Sequence, residues 1–412
     1  MRAIVGVAGA SLLLRLTFVF LVPPPADIDA GEYDVLARSL LAGRGFEISP
    51  GVPSVGRAPL YPFVVAGVYA ILGPERTVIQ VFQALVGALV SVGSAVLAAR
   101  VLGPAAALPA AAVSAVWPAL VIYPALLLTE TLASAVVLAL ALVIARDASE
   151  LRWCHWLVVG VLGGMVALLR QEFLALPFAI VAVAAAVYRP GWRGAARWAA
   201  AGGLGVMLVV VPWTARNYAV SGVFIPVALG AGTGIWLAAH PHVTETPGNR
   251  RSDDAEFLAL YHVHEHDDVA LDRALMRAGL AEIVHRPVRY ALGIGPRIAD
   301  LWLSSHSYAI PPLSMRFRDA WRTGRVGVLA GKAGLAAVQV LLLGLAVVGF
   351  GIALFQGIAR GPLVLALVPV IYGSVVYAAV FATARYQVPL LPVAAAGAGY
   401  GISLLRNRMG AR

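Results

Sequence analysis

Residues 23–62 read PPPADIDAGEYDVLARSLLAGRGFEISPGVPSVGRAPLYP and carry five carboxylates, Asp27, Asp29, Glu32, Asp34 and Glu47, between two strongly apolar stretches. Ionised carboxylates are costly inside a hydrocarbon layer and persist near one only when paired or used. Tyr33, Leu36, Ala37, Leu40 and Leu41 recur at i, i+3, i+4, i+7 and i+8, which predicts a short helix with one apolar stripe and Asp34 and Arg38 on its other face. Such a helix lies along a membrane surface rather than through it. Gly43 and Gly45 end it. The stretch therefore reads as an acidic surface loop that faces water and is reached from lipid.

Working outward, Ile4 to Val22 is long enough to cross a hydrocarbon core of about 30 Å and is followed by three prolines rather than a small-residue cleavage site. We read it as a retained first span. The remainder has the same character: of 412 residues, 60% are hydrophobic and only 13% charged, against a charged fraction of about 25% in soluble domains. A soluble globule is excluded, and an all-α polytopic membrane protein is expected. The net charge of +10 comes almost entirely from arginine, Lys332 being the one lysine, and reads as cytoplasmic loops and headgroup contacts rather than nucleic-acid binding. A single cysteine, Cys154, excludes an intrachain disulfide.

Further apolar runs span 78–99, 105–123, 125–145, 157–169, 173–187, 199–213, 335–358, 363–382 and 388–405. Leu60 to Leu72 reaches only about 20 Å as a helix and is expected to stay at the interface. With that segment interfacial and the N-terminus inside, the arginines at 100, 146, 152, 189, 193, 197, 360, 406, 408 and 412 all fall in cytoplasmic loops, as the positive-inside rule requires. The expectation is about ten transmembrane helices in a single domain, with a first extracytoplasmic loop at 23–76 and a long one at 214–330.

Several residues fit a reaction at that outer face. Asp29 is a candidate general base, its carboxyl raised by partial desolvation, although it also fits the N-cap of the interfacial helix with Glu32 closing a capping box. Glu130 stands one to two turns into an apolar span near the same end. Arg57, Arg170, Arg216 and Arg385 share that level. Each alone could reach headgroups, but together they suit a phosphate whose charge grows as a bond breaks. His240, His242, His262, His264 and His266 lie in the long loop; a solvated loop is the default reading and a divalent metal site the alternative.

Taken together, D-x3-Y (Asp29 to Tyr33), G-x-G-F (Gly43 to Phe46), R-x-P-L-Y-P (Arg57 to Pro62), T-E (Thr129, Glu130), P-W-x-x-R-N (Pro212 to Asn217) and R-Y-x-x-P-x-x-P (Arg385 to Pro392) resemble the GT-C integral-membrane glycosyltransferases. The likeness is to bacterial members related to dolichyl-phosphate-mannose protein mannosyltransferases and lipid A aminoarabinose transferase. It implies a GT-C bundle and inverting transfer from a polyprenyl-monophosphate-linked sugar to a glycan, lipid or protein acceptor, on the outer side of the inner membrane. Asp29 and Glu130 would be catalytic, and Tyr33, Arg57, Tyr61, Arg170, Arg216, Arg385 and Tyr386 would bind the donor. Relatives often carry Asp-Glu where this chain has Asp29-Ala30, so no metal ligand set is assigned. A secondary transporter or lipid flippase is the competing class, and it predicts ionisable residues at mid-membrane and broken helices in symmetric halves.

Overall fold

The computed structural model describes residues 2–23, 25, 27–241, 243, 254–265 and 267–410; His242, Asp253, His266 and Arg412 lie outside the described residues. The chain is helical almost throughout. It opens with α1 (Arg2–Leu21) and α2 (Ile28–Leu41), a two-stranded antiparallel hairpin of β1 (Glu47–Ser49) and β2 (Val52–Pro53), then α3 (Leu60–Leu72) and α4 (Arg76–Leu102). α5 (Ala107–Val116) and α6 (Pro118–Ile122) belong to one apolar length bent by 61°. α7 (Glu130–Ile144), α8 (Trp153–Leu169), α9 (Leu176–Tyr188) and α10 (Gly191–Ser221) follow. The polar region holds α11 (Ala231–Ala239), α12 (Ala255–Val263), α13 (Asp268–His285), α14 (Pro287–Leu303) and α15 (Phe317–Arg322). α16 (Val326–Phe355), α17 (Arg360–Ala379), a 3-10 segment Ala384–Leu390 and α18 (Leu391–Gly410) complete the chain.

This is a polytopic membrane protein. Among the described residues, seven helices are long and apolar enough to cross a bilayer, or eight if the bent pair is one span. A count of ten needs α7 and α8 as well, at 15 and 17 residues. α3, with 13, is shorter still. Helical structure also runs further than hydropathy predicts: α10 continues to Ser221 through Pro212, and α16 starts at Val326, so 222–325 rather than 214–330 lies between the long helices.

The bend between α5 and α6 has an identifiable cause. Pro118 has no N–H to give the carbonyl of Ser114, and non-helical backbone at membrane depth must find its partners inside the protein. Arg15, fully buried on α1, supplies them: its Nη2 donates to Ser114 O at 3.1 Å and its Nη1 to Ala115 O at 3.2 Å. An arginine hidden in an apolar first span thus completes a broken helix elsewhere. The 3-10 turn Tyr123–Ala125 and the irregular residues after it are served in the same way. Gln80 Nε2 donates to Ala125 O at 2.6 Å, while Gln83 Nε2 donates to Pro124 O at 3.1 Å and to Leu126 O at 2.8 Å.

That irregular stretch also corrects the position of Glu130. Helix α7 begins at Glu130 itself, because the carbonyls of Pro124, Ala125 and Leu126 are spent on α4 glutamines instead of on helix bonds. The carboxylate therefore stands at a helix start, where the helix dipole favours negative charge, rather than one to two turns inside a span. Close packing holds the rest of the bundle. A Cβ on Gly160 of α8 would lie 2.0 Å from the Gly202 carbonyl of α10, so only glycine permits that approach, the device by which membrane helices gain contact without a hydrophobic driving force.

Candidate functional site

Asp27, not Asp29, caps α2: its Oδ1 accepts from Ala30 N at 3.1 Å. The capping box expected from Asp29 and Glu32 does not form, since stronger partners claim both side chains. Asp29 Oδ1 meets Arg57 Nη2 at 2.7 Å, and its Oδ2 meets Arg385 Nη2 at 2.5 Å. Glu32, one turn on, accepts from Arg57 Nε at 2.5 Å. Arg385 reaches onward with Nε to Glu130 Oε1 at 3.6 Å, and Glu130 Oε1 is bound by Arg170 Nη1 at 3.1 Å. Arg170 Nη2 ends the row on Glu172 at 3.5 Å. Seven side chains of alternating charge run Glu32, Arg57, Asp29, Arg385, Glu130, Arg170, Glu172. They come from α2, the loop before α3, the start of α7, the α8–α9 junction and the segment before α18.

The row has unused capacity. Glu130 is buried, yet its Oε2 has no hydrogen-bond partner, and Thr383 Oγ1, two residues before Arg385, is likewise buried and unpaired. Arg57 and Arg385 each have five N–H donors, of which the carboxylates occupy only part. Burial pushes the Asp29 carboxyl up, but Arg385 and Arg57 outweigh it and hold it at about 2. This reverses the expected raised value, because two guanidinium groups lie within contact distance. Burial pulls the Arg57 guanidinium down, but Asp29 and Glu32 leave it raised overall, and burial raises the Tyr33 phenol.

The predicted donor-binding residues divide into two groups. Arg57, Arg385 and Arg170 are brought together, and Tyr386 lies beneath them, its ring 4.5 Å from the Arg170 guanidinium and 5.4 Å from that of Arg385. Tyr33 lies under Arg57 at 5.7 Å. Tyr61 is fully buried and donates to Gln83 Oε1 at 3.1 Å, so it supports the glutamine that holds the irregular stretch before α7. Arg216 stands apart from the row: Nη1 donates to Ser54 O at 2.6 Å and Nη2 to Phe46 O at 3.3 Å, fastening the β1–β2 hairpin to α10. Its neighbours do related work, Asn217 bonding Ile225 O and Val227 O and Trp213 bonding Val227 O. P-W-x-x-R-N is thus a structural clasp between the first loop and the long one.

Sequence reading missed three members. Glu32, one turn after Asp29, was weighed only as the partner in an alternative capping box. Glu172 stands two residues after Arg170, where nothing in the local pattern marks it out. Tyr377, which accepts from Arg170 Nε at 3.1 Å and stacks on Tyr386 at 4.8 Å, sits in an apolar run with no local signal. Asp34 was placed on the polar face but is buried, receiving Tyr69 OH at 2.7 Å and both Arg38 and Arg76. Of the histidines, His240 is bound to Glu256 at 2.8 Å. No group of three or more His, Cys, Asp or Glu among the described residues is placed to hold a metal ion, and the carboxylates near Asp29 face guanidinium groups, a poor fit for a cation.

Residues 56–215 match the family described as dolichyl-phosphate-mannose-protein mannosyltransferase. No curated protein matches the chain in sequence. Among solved structures, the apo oligosaccharyltransferase of Archaeoglobus fulgidus aligns with 99% of this chain and 50% of its own, at 16% identity and a TM-score of 0.51. The same enzyme tethered to an acceptor peptide containing the NVT sequon aligns over 98% and 50%, at 14% identity and 0.50. ArnT from Cupriavidus metallidurans, bound to undecaprenyl phosphate, aligns over 99% and 78%, at 15% identity and 0.45. The fold is that of the archaeal oligosaccharyltransferase. The chain spans half the length of the oligosaccharyltransferase it resembles. Of the six motifs, R-x-P-L-Y-P, T-E and P-W-x-x-R-N fall wholly or mainly within the matched residues 56–215.

Proposed function

We propose that the chain is an inverting glycosyltransferase that moves a sugar from a polyprenyl-monophosphate-linked donor to a hydroxyl of a glycolipid, polysaccharide or protein, on the extracytoplasmic face of the inner membrane. The observation that carries this reading is the shared hold of Arg57 and Arg385 on Asp29, in a chain whose matched family is named for a lipid-phosphate-linked mannose.

With both arginines upon it, Asp29 is too acidic to take a proton from an alcohol. A donor phosphate supplies the remedy. As its oxygens engage Arg57 and Arg385, their charge is neutralised at closer range, the coulombic hold on Asp29 weakens and the burial contribution is left to raise its carboxyl. Asp29 becomes a competent base only when the donor is seated. The acceptor oxygen then attacks the anomeric carbon as its proton passes to an Asp29 oxygen. The bond from that carbon to phosphate breaks, and the polyprenyl phosphate leaves with the electron pair between the two guanidinium groups. One displacement gives one inversion. Glu130 Oε2, buried and without a partner, is available to accept from a sugar hydroxyl.

The test is transfer of sugar from a synthetic polyprenyl-phosphate-linked donor by the purified full chain in proteoliposomes, with the anomeric configuration of the product read by NMR. Release of polyprenyl phosphate with an inverted product is expected. Transport of the intact donor across the vesicle without cleavage would establish the flippase reading instead.

A further inference from the structure

The polar segment that leads into α16 carries a second cationic site, remote from the Asp29 row in sequence. Residues 311–328 enclose an open cavity of about 620 Å³, lined among others by Pro312, Ser314, Met315, Arg316, Asp319 and Arg325. Four arginines fall within ten residues, Arg316, Arg318, Arg322 and Arg325; all are exposed, and none forms an ion pair or a side-chain hydrogen bond among the described residues. Phe317 and Trp321, 59% and 70% exposed, stack at 6.5 Å on the same short helix. An unpaired basic cluster with two exposed aromatics makes little sense in open water, but it is the composition of a membrane–water interface. The covalent geometry puts it there, because Val326 begins a 30-residue apolar helix directly after the Gly324 turn.

The segment is also anchored to the functional end of the bundle. Leu313 packs where a Cβ on Gly331 of α16 would fall, Lys332 Nζ donates to Ser307 Oγ at 3.0 Å, and Tyr308 OH meets Tyr123 OH at 2.5 Å. The short loops at the opposite end already carry the arginine excess that orients a membrane protein, so topology does not account for these four. The cavity's own charges are two guanidinium groups and one carboxylate.

We propose that this cavity seats the headgroup of a bilayer glycerophospholipid, with Arg316 and Arg325 on the phosphate and Asp319 accepting from a headgroup hydroxyl or ammonium. Phe317 and Trp321 lie at the level of the glycerol and upper acyl chain. Guanidinium pairs suit phosphate oxygens, and a carboxylate beside them discriminates headgroups that carry a donor, such as glycerol or ethanolamine, from choline, which has none. The site is independent of sugar transfer.

The full chain in nanodiscs would be titrated with phosphatidylglycerol, phosphatidylethanolamine or phosphatidylcholine and its bound lipid counted by native mass spectrometry. The first two should be retained over the third. Arg316→Gln with Arg325→Gln should weaken their retention about 10- to 30-fold or more, through loss of two direct charge-assisted contacts to the phosphate. Arg318→Gln with Arg322→Gln removes the same charge from residues that do not line the cavity and make no such contact, and should change retention less than about threefold in a salt-screened buffer. Asp319→Asn should narrow the preference over phosphatidylcholine. Equal losses in the two double variants would reduce the cluster to diffuse surface charge and overturn the site, as would no loss in either. Displacement of the lipid by millimolar inorganic phosphate would assign the cavity to a soluble anion and overturn the lipid proposal.

Discussion

Asp29 and Asp34 stand five residues apart on α2, and each lies between two arginines. Asp34 receives Tyr69 OH, Arg38 Nε and the Arg76 fork at 2.7, 3.1 and 3.3 Å, and Arg38 spends its remaining reach on Pro74 O at 2.7 Å. That knot is closed, fastening α2 to α3 and α4 with partners near in sequence. Arg38 and Arg76 are 43% and 56% exposed, so their charge is largely left to solvent. Asp29 is held instead by Arg57 and by Arg385, 356 residues away, and both arginines also touch a second carboxylate. The same pairing serves two ends. One carboxylate ties helices together, and the other belongs to a charged row with unused hydrogen-bonding capacity beside it.

The largest expected effect separates those two roles. Asp29→Asn keeps the shape but accepts no proton at neutral pH, so turnover should fall about 10²- to 10⁴-fold with the fold intact. Asp34→Asn should do the reverse, lowering stability by about 1–3 kcal/mol while each folded molecule keeps most of its turnover. Initial rates and thermal unfolding in detergent measure both. Equal loss of turnover in the two variants would erase the distinction. The pH dependence follows from the Asp29 carboxyl, held at about 2 in the folded chain. A depressed carboxyl contributes stability that is complete above its unfolded value of about 4 and is lost as pH falls through 2, an effect of about 2 kcal/mol that Asp29→Asn should remove.

Next in size come the arginines. Arg385→Ala removes the group that meets both Asp29 and Glu130 and should cost about 10²- to 10³-fold in turnover. Arg385→Lys should restore only part, since an ammonium cannot span two oxygens as a planar fork does. The matched change at the other knot, Arg76→Ala, should cost at most about 1 kcal/mol of stability, the range for an exposed ion pair, and leave turnover alone. Unchanged kinetics in both Arg385 variants would place that side chain among headgroup contacts.

The membrane class and the seven long apolar helices were legible because hydropathy acts over twenty residues and tolerates local error. What the sequence concealed depends on single bonds between distant residues. Nothing in ASLLLRLTF says that Arg15 will serve carbonyls 99 and 100 residues away, and that bond is what lets α5 break before Pro118. The start of α7 was misplaced for the same reason, Gln80 and Gln83 taking carbonyls that a helix would use. At the site, the motifs picked out Asp29, Glu130, Arg57, Arg385 and Tyr386, and the level of the arginines added Arg170; these side chains do meet. The motifs could not separate Arg216 from them, because an arginine bound to two backbone carbonyls and one bound to two carboxylates look alike in a string of letters.

The smallest expected effect sharpens the comparison from a third position on the same segment. Asp27 precedes α2 and accepts from Ala30 N at 3.1 Å, a cap that asparagine provides about as well as aspartate. Asp27→Asn should therefore leave both unfolding temperature and sugar transfer close to the parent, while Asp27→Ala should cost about 1 kcal/mol of stability and little turnover per folded molecule. Three acidic residues within eight positions would then give three distinct outcomes: a cap indifferent to charge, a base that requires it, and a fastening whose loss is felt in unfolding rather than catalysis. If Asp27→Asn instead lowered turnover as far as Asp29→Asn, the negative charge at the mouth of the loop would matter as a field rather than at one atom. Proton transfer to Asp29 would then lose its special claim, and the two arginines would have to be read as answering the loop's total charge.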